Sequence, residues 1–389
     1  MSETVKEATS MERPKATTNA YPAWSPRFWH GMLLGDWLRL LVRNRFRVHP
    51  LRWGLVATVA FAAVINSVLR IVQKIFFSRK VARTEIVQPP LFIIGHWRSG
   101  TTYLHEMLVQ DERFAYPTTY ECFAPNHFLV TRRSLPWFIH LLLPRQRPMD
   151  NMLAGAYYPQ EDEFALGNLG CPTPYWRMVF PNEPPCYLEL LDMEGVEPHV
   201  LKRWKRDMVW FVRAMTFYKR KPLILKSPPH TGRVGVLAEL FPGAKFIHIT
   251  RNPETLFAST RRLWPTLDMA QGLQIPNNEH LDEYILEAFE RMYRGFESQR
   301  TRLAPNQIID IRYEDLVADT MGQVERIYRE LEIDGFETVR DRLQAFVGQR
   351  KDYRPNRHEE LTPEIRAEIR RRWSGYIEKY GYAKDLGGL

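Results

Sequence analysis

Leu91-Phe92-Ile93-Ile94-Gly95-His96-Trp97-Arg98-Ser99-Gly100-Thr101-Thr102 sets a run of four apolar residues directly against a glycine-spaced loop. An apolar run this short, entered from Pro89-Pro90 and ended by glycine, reads as a parallel strand buried on both faces. A helix over Tyr103 to Val109 is expected to follow. With glycines at 95 and 100, backbone N–H groups and a helix N-terminus can surround an anion, as in phosphate-cradling loops. Where a nucleoside triphosphatase needs lysine, after the last glycine, stands Thr101; the cation is Arg98, inside the loop. Alone, such a loop is also compatible with a plain strand-to-helix turn.

Working outward, similar apolar runs return at Leu223–Leu225, Phe246–Ile249 and Ile308–Ile311, with helical stretches at Val234 to Phe241 and Pro253 to Arg262. Alternation of this kind predicts an α/β fold, a P-loop-like parallel sheet flanked by helices, with ligands at the carboxyl ends of the strands. Two further polar groups fall at such ends. Lys226-Ser227-Pro228-Pro229-His230 follows the second run; Arg251-Asn252-Pro253 follows the third, with Ser259 two helical turns on. Asn252 and Pro253 form a cap and first-turn pair, which puts Arg251 at the mouth of a helix. Two anion pockets are implied. The stretch from about 132 to 218, rich in Pro, Trp and Tyr without a steady period, reads as an insertion over the sheet.

These three elements, in this order, resemble the sulfotransferase superfamily that uses 3′-phosphoadenosine 5′-phosphosulfate, and its bacterial branch in particular, over about Pro90 to Tyr382. The resemblance implies that the loop, with Arg98, Ser99, Gly100, Thr101, Thr102 and Tyr103, wraps the 5′-phosphosulfate, and that Arg98 stabilises the leaving oxygen. It implies that Arg251 and Ser259, eight residues apart, hold the 3′-phosphate, and that Lys226 approaches the transferring sulfuryl group. The C-terminal Arg350-Lys351-Asp352-Tyr353-Arg354 and Trp373 to Tyr382 fit the branch's ending, although the family's basic run followed by glycine is not reproduced. Soluble members carry lysine where Arg98 stands; a guanidinium fork suits a phosphate oxygen equally well. Sulfuryl transfer needs in-line positioning and charge neutralisation, for which the resemblance implies no metal.

For the general base the sequence offers several candidates. His230 leads, four residues after Lys226, because an imidazole titrates near neutral pH; soluble members place their histidine two residues after the lysine, where this chain has Pro228. Glu121 lies near the position of the glutamate used by other branches, and Glu161 and Glu163 follow in an acidic run. Two rivals are a nucleotide kinase or NTPase, drawing on Asp310 as a metal-binding strand end, and a non-catalytic membrane-bound adaptor of the same fold. Stabilisation by 3′,5′-adenosine bisphosphate without magnesium separates the first from a sulfotransferase.

The net charge of +9 is unevenly spread: between Asp36 and Glu85 there are ten Lys and Arg and no acid, so the rest of the 389-residue chain is close to neutral. A basic block within a segment rich in Leu, Val, Phe and Trp points to anionic lipid rather than nucleic acid. Residues 37–83 are therefore expected on a membrane surface. Trp29, Leu33, Trp37, Leu40 and Leu41 recur at helical spacing behind Ser25-Pro26, and a second helix is expected over Leu51 to Phe77, giving an N-terminal helical hairpin. The uncharged run Trp53 to Leu69 is short for a span of about 20 residues, so a single-pass anchor stays open. Three scattered cysteines and the lack of an N-x-[ST] sequon favour a cytoplasmic setting. The expected organisation is a flexible tail over 1–20, a basic helical segment over 21–85 and one catalytic domain over 86–389. The acceptor, a small molecule or a lipid, stays open at this stage, as does the oligomeric state.

Overall fold

The computed structural model describes residues 21–22, 24–144, 155–349 and 360–387. Within them the chain begins with α1 (Leu34–Arg43) and α2 (Trp53–Ala82), then β1 (Leu91–Ile94) and α3 (Thr101–Leu108). Before the next strand come α4 (Thr119–Phe123) and α5 (Phe128–Thr131), and then, in the expected insertion, α6 (Leu135–Leu142), α7 (Asp162–Asn168) and α8 (Pro198–Lys219). The sheet resumes with β2 (Ile224–Lys226), α9 (Val234–Leu240), β3 (Lys245–Thr250), α10 (Pro253–Gln271), α11 (Leu281–Arg300) and β4 (Ile308–Arg312). Among the described residues five helices follow, α12 (Tyr313–Ala318), α13 (Thr320–Glu330), α14 (Phe336–Gln349), α15 (Pro363–Arg372) and α16 (Ser374–Lys379), before a final turn through Tyr382 that packs back on the sheet. The expected tail over 1–20 and Arg350–Arg354 lie outside the described residues.

The four strands are parallel in the order β2-β1-β3-β4. Phe92 faces Leu225 on one side and Phe246 on the other, and Ile247 faces Ile309. Alternate β1 side chains enter different cores, Phe92 and Ile94 the larger and Leu91 and Ile93 the smaller, so all four positions are buried as the apolar run requires. The chain leaves β1 for a neighbour on one side and returns across it to β3 on the other. That reversal opens a crevice at the carboxyl end of β1, where ligands of such sheets bind.

Several sequence expectations shift. The helix expected behind Ser25-Pro26 does not start there: Ser25 Oγ donates to Leu142 O at 2.8 Å, and buried Trp29 donates from Nε1 to Gln271 O at 3.1 Å. These two anchors hold the chain in a 3-10 turn at Phe28–Gly31, and α1 starts only at Leu34. α10 continues past Arg262 to Gln271, carrying Pro265 within it, because Trp264 and Leu267 lie on its buried face. The insertion is also more regular than expected: in α8, Trp204, Met208, Phe211 and Met215 recur at helical spacing, all buried.

α2 has an unusual polarity. Its inward face carries Val56, Val59 and Ala63 but also Asn66 and Gln73, while Phe61, Val68, Ile71, Ile75 and Phe76 point outward and are exposed. Asn66 Nδ2 donates to His30 O and Met32 O (2.7 and 3.0 Å); Gln73 Nε2 donates to Asn126 O (2.9 Å), and its Oε1 accepts from Leu129 N (2.9 Å). These amides pin the helix to the domain along much of its length. Gln73→Leu, which strands a buried carbonyl and N–H, is expected to cost about 1–3 kcal/mol, read as a lower urea midpoint at unchanged slope.

Candidate active site

The loop after β1 owes its shape to two glycines. A Cβ on Gly95 (φ 143°) would stand 2.4 Å from Ile249 O, and one on Gly100 (φ 108°) 2.4 Å from the Tyr313 ring. Between them Arg98 adopts a left-handed φ of 68°, the alternation that turns successive N–H groups into one concavity. α3 begins at Thr101, two residues earlier than expected, so Thr101 and Thr102 supply first-turn N–H groups that have no intrahelical acceptor. Ser99 Oγ is buried without a hydrogen-bond partner among the described residues. These features suit an anionic oxygen cluster.

Around the loop the expected cations converge. Arg98 Nε donates to Ser259 Oγ at 3.0 Å, and Arg251 Nη1 donates to the Arg98 carbonyl at 2.8 Å, with its guanidinium 4.4 Å from the Tyr313 ring centroid. Arg251 is itself clamped by Tyr376, whose hydroxyl accepts from its N–H at 2.9 Å and donates to its C=O at 2.8 Å. Lys226, 1% exposed, donates to Thr102 Oγ1 at 3.4 Å and to Glu161 Oε1 at 2.7 Å. Thus Arg98, Thr102, Lys226, Arg251 and Ser259, drawn from three strand ends, share one mouth. Tyr103 follows on the same helix, half-buried.

The acidic run adds the element that spacing did not predict. Glu161, Asp162 and Glu163 stand at the start of α7 and each meets a partner from the stretch that begins at the last residue of β2. Glu161 pairs with Lys226; Asp162 Oδ2 accepts from His230 Nε2 at 2.6 Å; Glu163 accepts from Arg233 at 2.6 and 3.2 Å. Ser227 Oγ accepts from Glu163 N and donates to Asp162 Oδ1 (3.0 and 2.9 Å), lacing the two segments together. Burial opposes the charge on Asp162, but the imidazole and its hydrogen bonds hold its carboxyl below the usual range.

His230, the first candidate for a general base, lies in the core. It is 0% exposed, stacked edge-on to Phe92 and Trp204, with Nε2 on Asp162 and Nδ1 within 3.4 Å of Arg233. After the Pro-Pro turn it packs against Phe92 of β1. Glu121 is also committed: it closes a capping box, accepting from Thr118 N at 2.6 Å, and pairs with Lys219 at 2.8 Å. Glu163 is held by Arg233 and Thr173 with no exposed surface. Glu161 keeps side-chain exposure of 15% and accepts from the Tyr175 hydroxyl at 2.5 Å, which in turn accepts from Trp97 Nε1 at 2.9 Å. Burial, and then the charge of Glu161, push the Tyr175 phenol well above its ordinary pKa, so it stays a donor.

Asp310, the strand end that a kinase reading would load with metal, is occupied otherwise. His248 Nδ1 donates to it at 2.7 Å and Arg300 Nη2 at 2.7 Å, and these bonds hold its carboxyl down against the opposing effect of burial. The cysteines are unpaired, and burial raises the thiols of Cys122 and Cys171 well above their ordinary value and that of Cys186 to about 11. They serve packing.

Residues 89–338 match the sulfotransferase family. Over 370 residues, 95% of each chain, the sequence is 42% identical to the omega-hydroxy-beta-dihydromenaquinone-9 sulfotransferases Stf3 of Mycobacterium bovis and Mycobacterium tuberculosis. The chain belongs to the sulfotransferase family. Among solved structures, sulfotransferase STF9 from Mycobacterium avium superposes with a TM-score of 0.65 at 18% identity, covering 85% of this chain and 86% of that one. Sulfotransferase STF1 from M. tuberculosis gives 0.59 at 17%, covering 90% and 92%. Both show the same α/β fold. This sulfotransferase is accordingly an enzyme that moves a sulfuryl group from a donor to an acceptor.

The Asp162–His230 pair makes a test of what the histidine does. His230→Ala leaves a fully buried carboxylate without its principal partner, and stability is expected to drop by about 3–5 kcal/mol, read from chemical unfolding. His230→Asn, which retains a donor, should recover part of that loss, an outcome that a purely catalytic histidine would not give.

Proposed function

We propose that this sulfotransferase transfers the sulfuryl group of 3′-phosphoadenosine 5′-phosphosulfate to a hydroxyl on a membrane lipid, with Glu161 as the general base. The observation that carries the reading is the chain Thr102–Lys226–Glu161, which joins the anion loop to the one carboxylate of the acidic run that retains exposure. In this reading Gly95 to Tyr103 enclose the phosphosulfate, and Arg98 and Lys226 neutralise the charge that gathers on the leaving oxygen. Arg251 and Ser259 hold the 3′-phosphate. The hydrogen bonds that already link Arg98 to both support two adjoining pockets for one doubly anionic donor. The acceptor oxygen forms a bond to sulfur as the bond from sulfur to the bridging phosphate oxygen breaks. The proton goes to Glu161, and adenosine 3′,5′-bisphosphate departs.

The acceptor is inferred from two sources. The relatives at 42% identity are named for a hydroxylated menaquinone, and this chain carries a long apolar helix with an exposed outer face. A hydroxylated lipid of the menaquinone kind, presented from the bilayer, fits both. Residues 37–83 would then rest on the cytoplasmic face, where anionic lipid attracts their ten cations. The inward amides of α2 favour a helix lying on the surface over one that crosses it, since crossing would leave Asn66 and Gln73 without their partners.

Three outcomes are expected. Glu161→Gln should lower turnover by about 10²–10⁴ with bisphosphate affinity kept; parental turnover in this variant would remove Glu161 from the role. Arg251→Ala should weaken 3′,5′-adenosine bisphosphate by roughly 1.5–3 kcal/mol, measured by calorimetry without magnesium, and unchanged binding would void the 3′-phosphate assignment. High salt should release part of the protein from membranes; resistance to both salt and alkaline wash would mark a spanning helix instead.

A further inference from the structure

Away from the mouth, a cavity of about 440 Å³ opens where α1 ends, between Arg43, Arg45 and Arg47 on one side and Trp176, Arg177 and Glu183 on the other. Its wall is made by an unusual turn. Arg45 (φ 50°) and Phe46 (φ 52°) are successive left-handed residues, a conformation that residues with side chains rarely adopt and that surroundings must enforce. The turn leaves Arg45 lining the cavity while Phe46 stays exposed beside it.

Charge in the cavity is unbalanced. Arg47 pairs with Glu183 at 2.7 Å, and Arg177 with buried Asp268 at 2.9 Å. Glu183 is the one carboxylate in the lining among the described residues. Arg43 lies over the Tyr187 ring at 4.4 Å, so its charge and that of Arg45 are met by no acid of the lining. The surface around this end of α1 is apolar and exposed: Leu38, Val42 and Phe46, then Leu51 and Trp53 at the start of α2. Cations at the rim of an apolar, aromatic surface are the arrangement of a segment seated at the head-group level of a bilayer. A dissolved anion would have no use for the apolar rim.

We propose that this cavity is a binding site for the phosphate-bearing head group of an anionic lipid, which docks the enzyme on the membrane through Arg43 and Arg45. The inference rests on the membrane reading of residues 37–83 and deepens it, replacing diffuse attraction by a defined site. The head-group phosphate accepts from the two guanidiniums, bidentate contacts being the strong form of such bonds, while the acyl chains leave past Val42 and Phe46.

Flotation of the full-length protein with three vesicle types tests it: phosphatidylcholine alone, phosphatidylcholine with phosphatidylglycerol, and phosphatidylcholine brought to the same surface charge with oleate, which has no phosphate. The parent should prefer phosphatidylglycerol to oleate by about tenfold. R43Q/R45Q should lose that preference. R79Q/K80Q, which removes equal charge from the far end of α2, should retain it, and bisphosphate binding in all three proteins verifies that they fold. Equal flotation of the parent on phosphatidylglycerol and oleate, or an undiminished preference in R43Q/R45Q, overturns the site while leaving the membrane reading intact. No flotation on any vesicle overturns the membrane reading itself and the site with it. Thermal stabilisation of the parent, but not of R43Q/R45Q, by free glycerol phosphate, with no vesicle preference, would assign the cavity to a soluble phosphate and remove the lipid.

Discussion

The pairing between the acidic run at the start of α7 and the stretch from Lys226 to Arg233, at and after the end of β2, is the constraint on which the rest of the site depends. Three consecutive carboxylates, Glu161, Asp162 and Glu163, meet Lys226, His230 and Arg233 in the same order. Asp162, Glu163, His230 and Arg233 are completely buried, so each charge is tolerable only because its partner is present. The pairing fixes the insertion over the sheet edge and sets Lys226 beside Thr102. Without it the carboxylate now beside the anion loop would have no defined position.

The gradient of exposure along this run separates structure from chemistry. At its inner end, Arg233 also donates to Leu190 O at 2.6 Å and lies over Trp204, leaving no room for a ligand. At its outer end, Glu161 is shared between Lys226 and the Tyr175 hydroxyl and keeps some access to solvent. Three residues of the same charge, adjacent in sequence, thus differ in what they can do because a helix start turns them to different depths. Gly95 N, tied to Thr231 Oγ1 at 2.8 Å, joins the loop to the same segment, so one short stretch after β2 braces both halves of the mouth.

Much of this was readable from the sequence, for identifiable reasons. β1 was placed to the residue because a four-residue apolar run between Pro90 and Gly95 admits few alternatives. Arg98, Lys226, Arg251 and Ser259 were singled out because they follow strands whose carboxyl ends lie together in a parallel sheet; the hydrogen bonds from Arg98 to Ser259 and from Arg251 to Arg98 tie two of those ends more closely than two separate pockets would need. The burial of His230 was not legible because spacing along a chain gives no depth: a Pro-Pro turn can send the next side chain toward solvent or into the core. Asp162 decides between the two, and its partnership spans 68 residues. The α8 pattern, by contrast, was present in Trp204, Met208, Phe211 and Met215 and was masked by the aromatic and proline-rich sequence before it.

The polarity of α2 shows why composition alone left its membrane relation open. A helix of this length and mean hydropathy passes the test for a span, yet only a share of it is buried, and that buried face includes the two amides. An ordinary surface helix buries apolar side chains and exposes polar ones; α2 sets Asn66 and Gln73 against the backbone of Met32 and Asn126 and turns Phe61, Ile71 and Ile75 outward. In water such an outer face is a liability, since monomeric proteins rarely expose large apolar patches. Against lipid the same strip is favourable, while the inward amides keep their acceptors only if the helix remains docked. Under the proposed membrane docking, the two requirements are met together by a helix lying in the plane of the interface, one face on protein and the other on acyl chains.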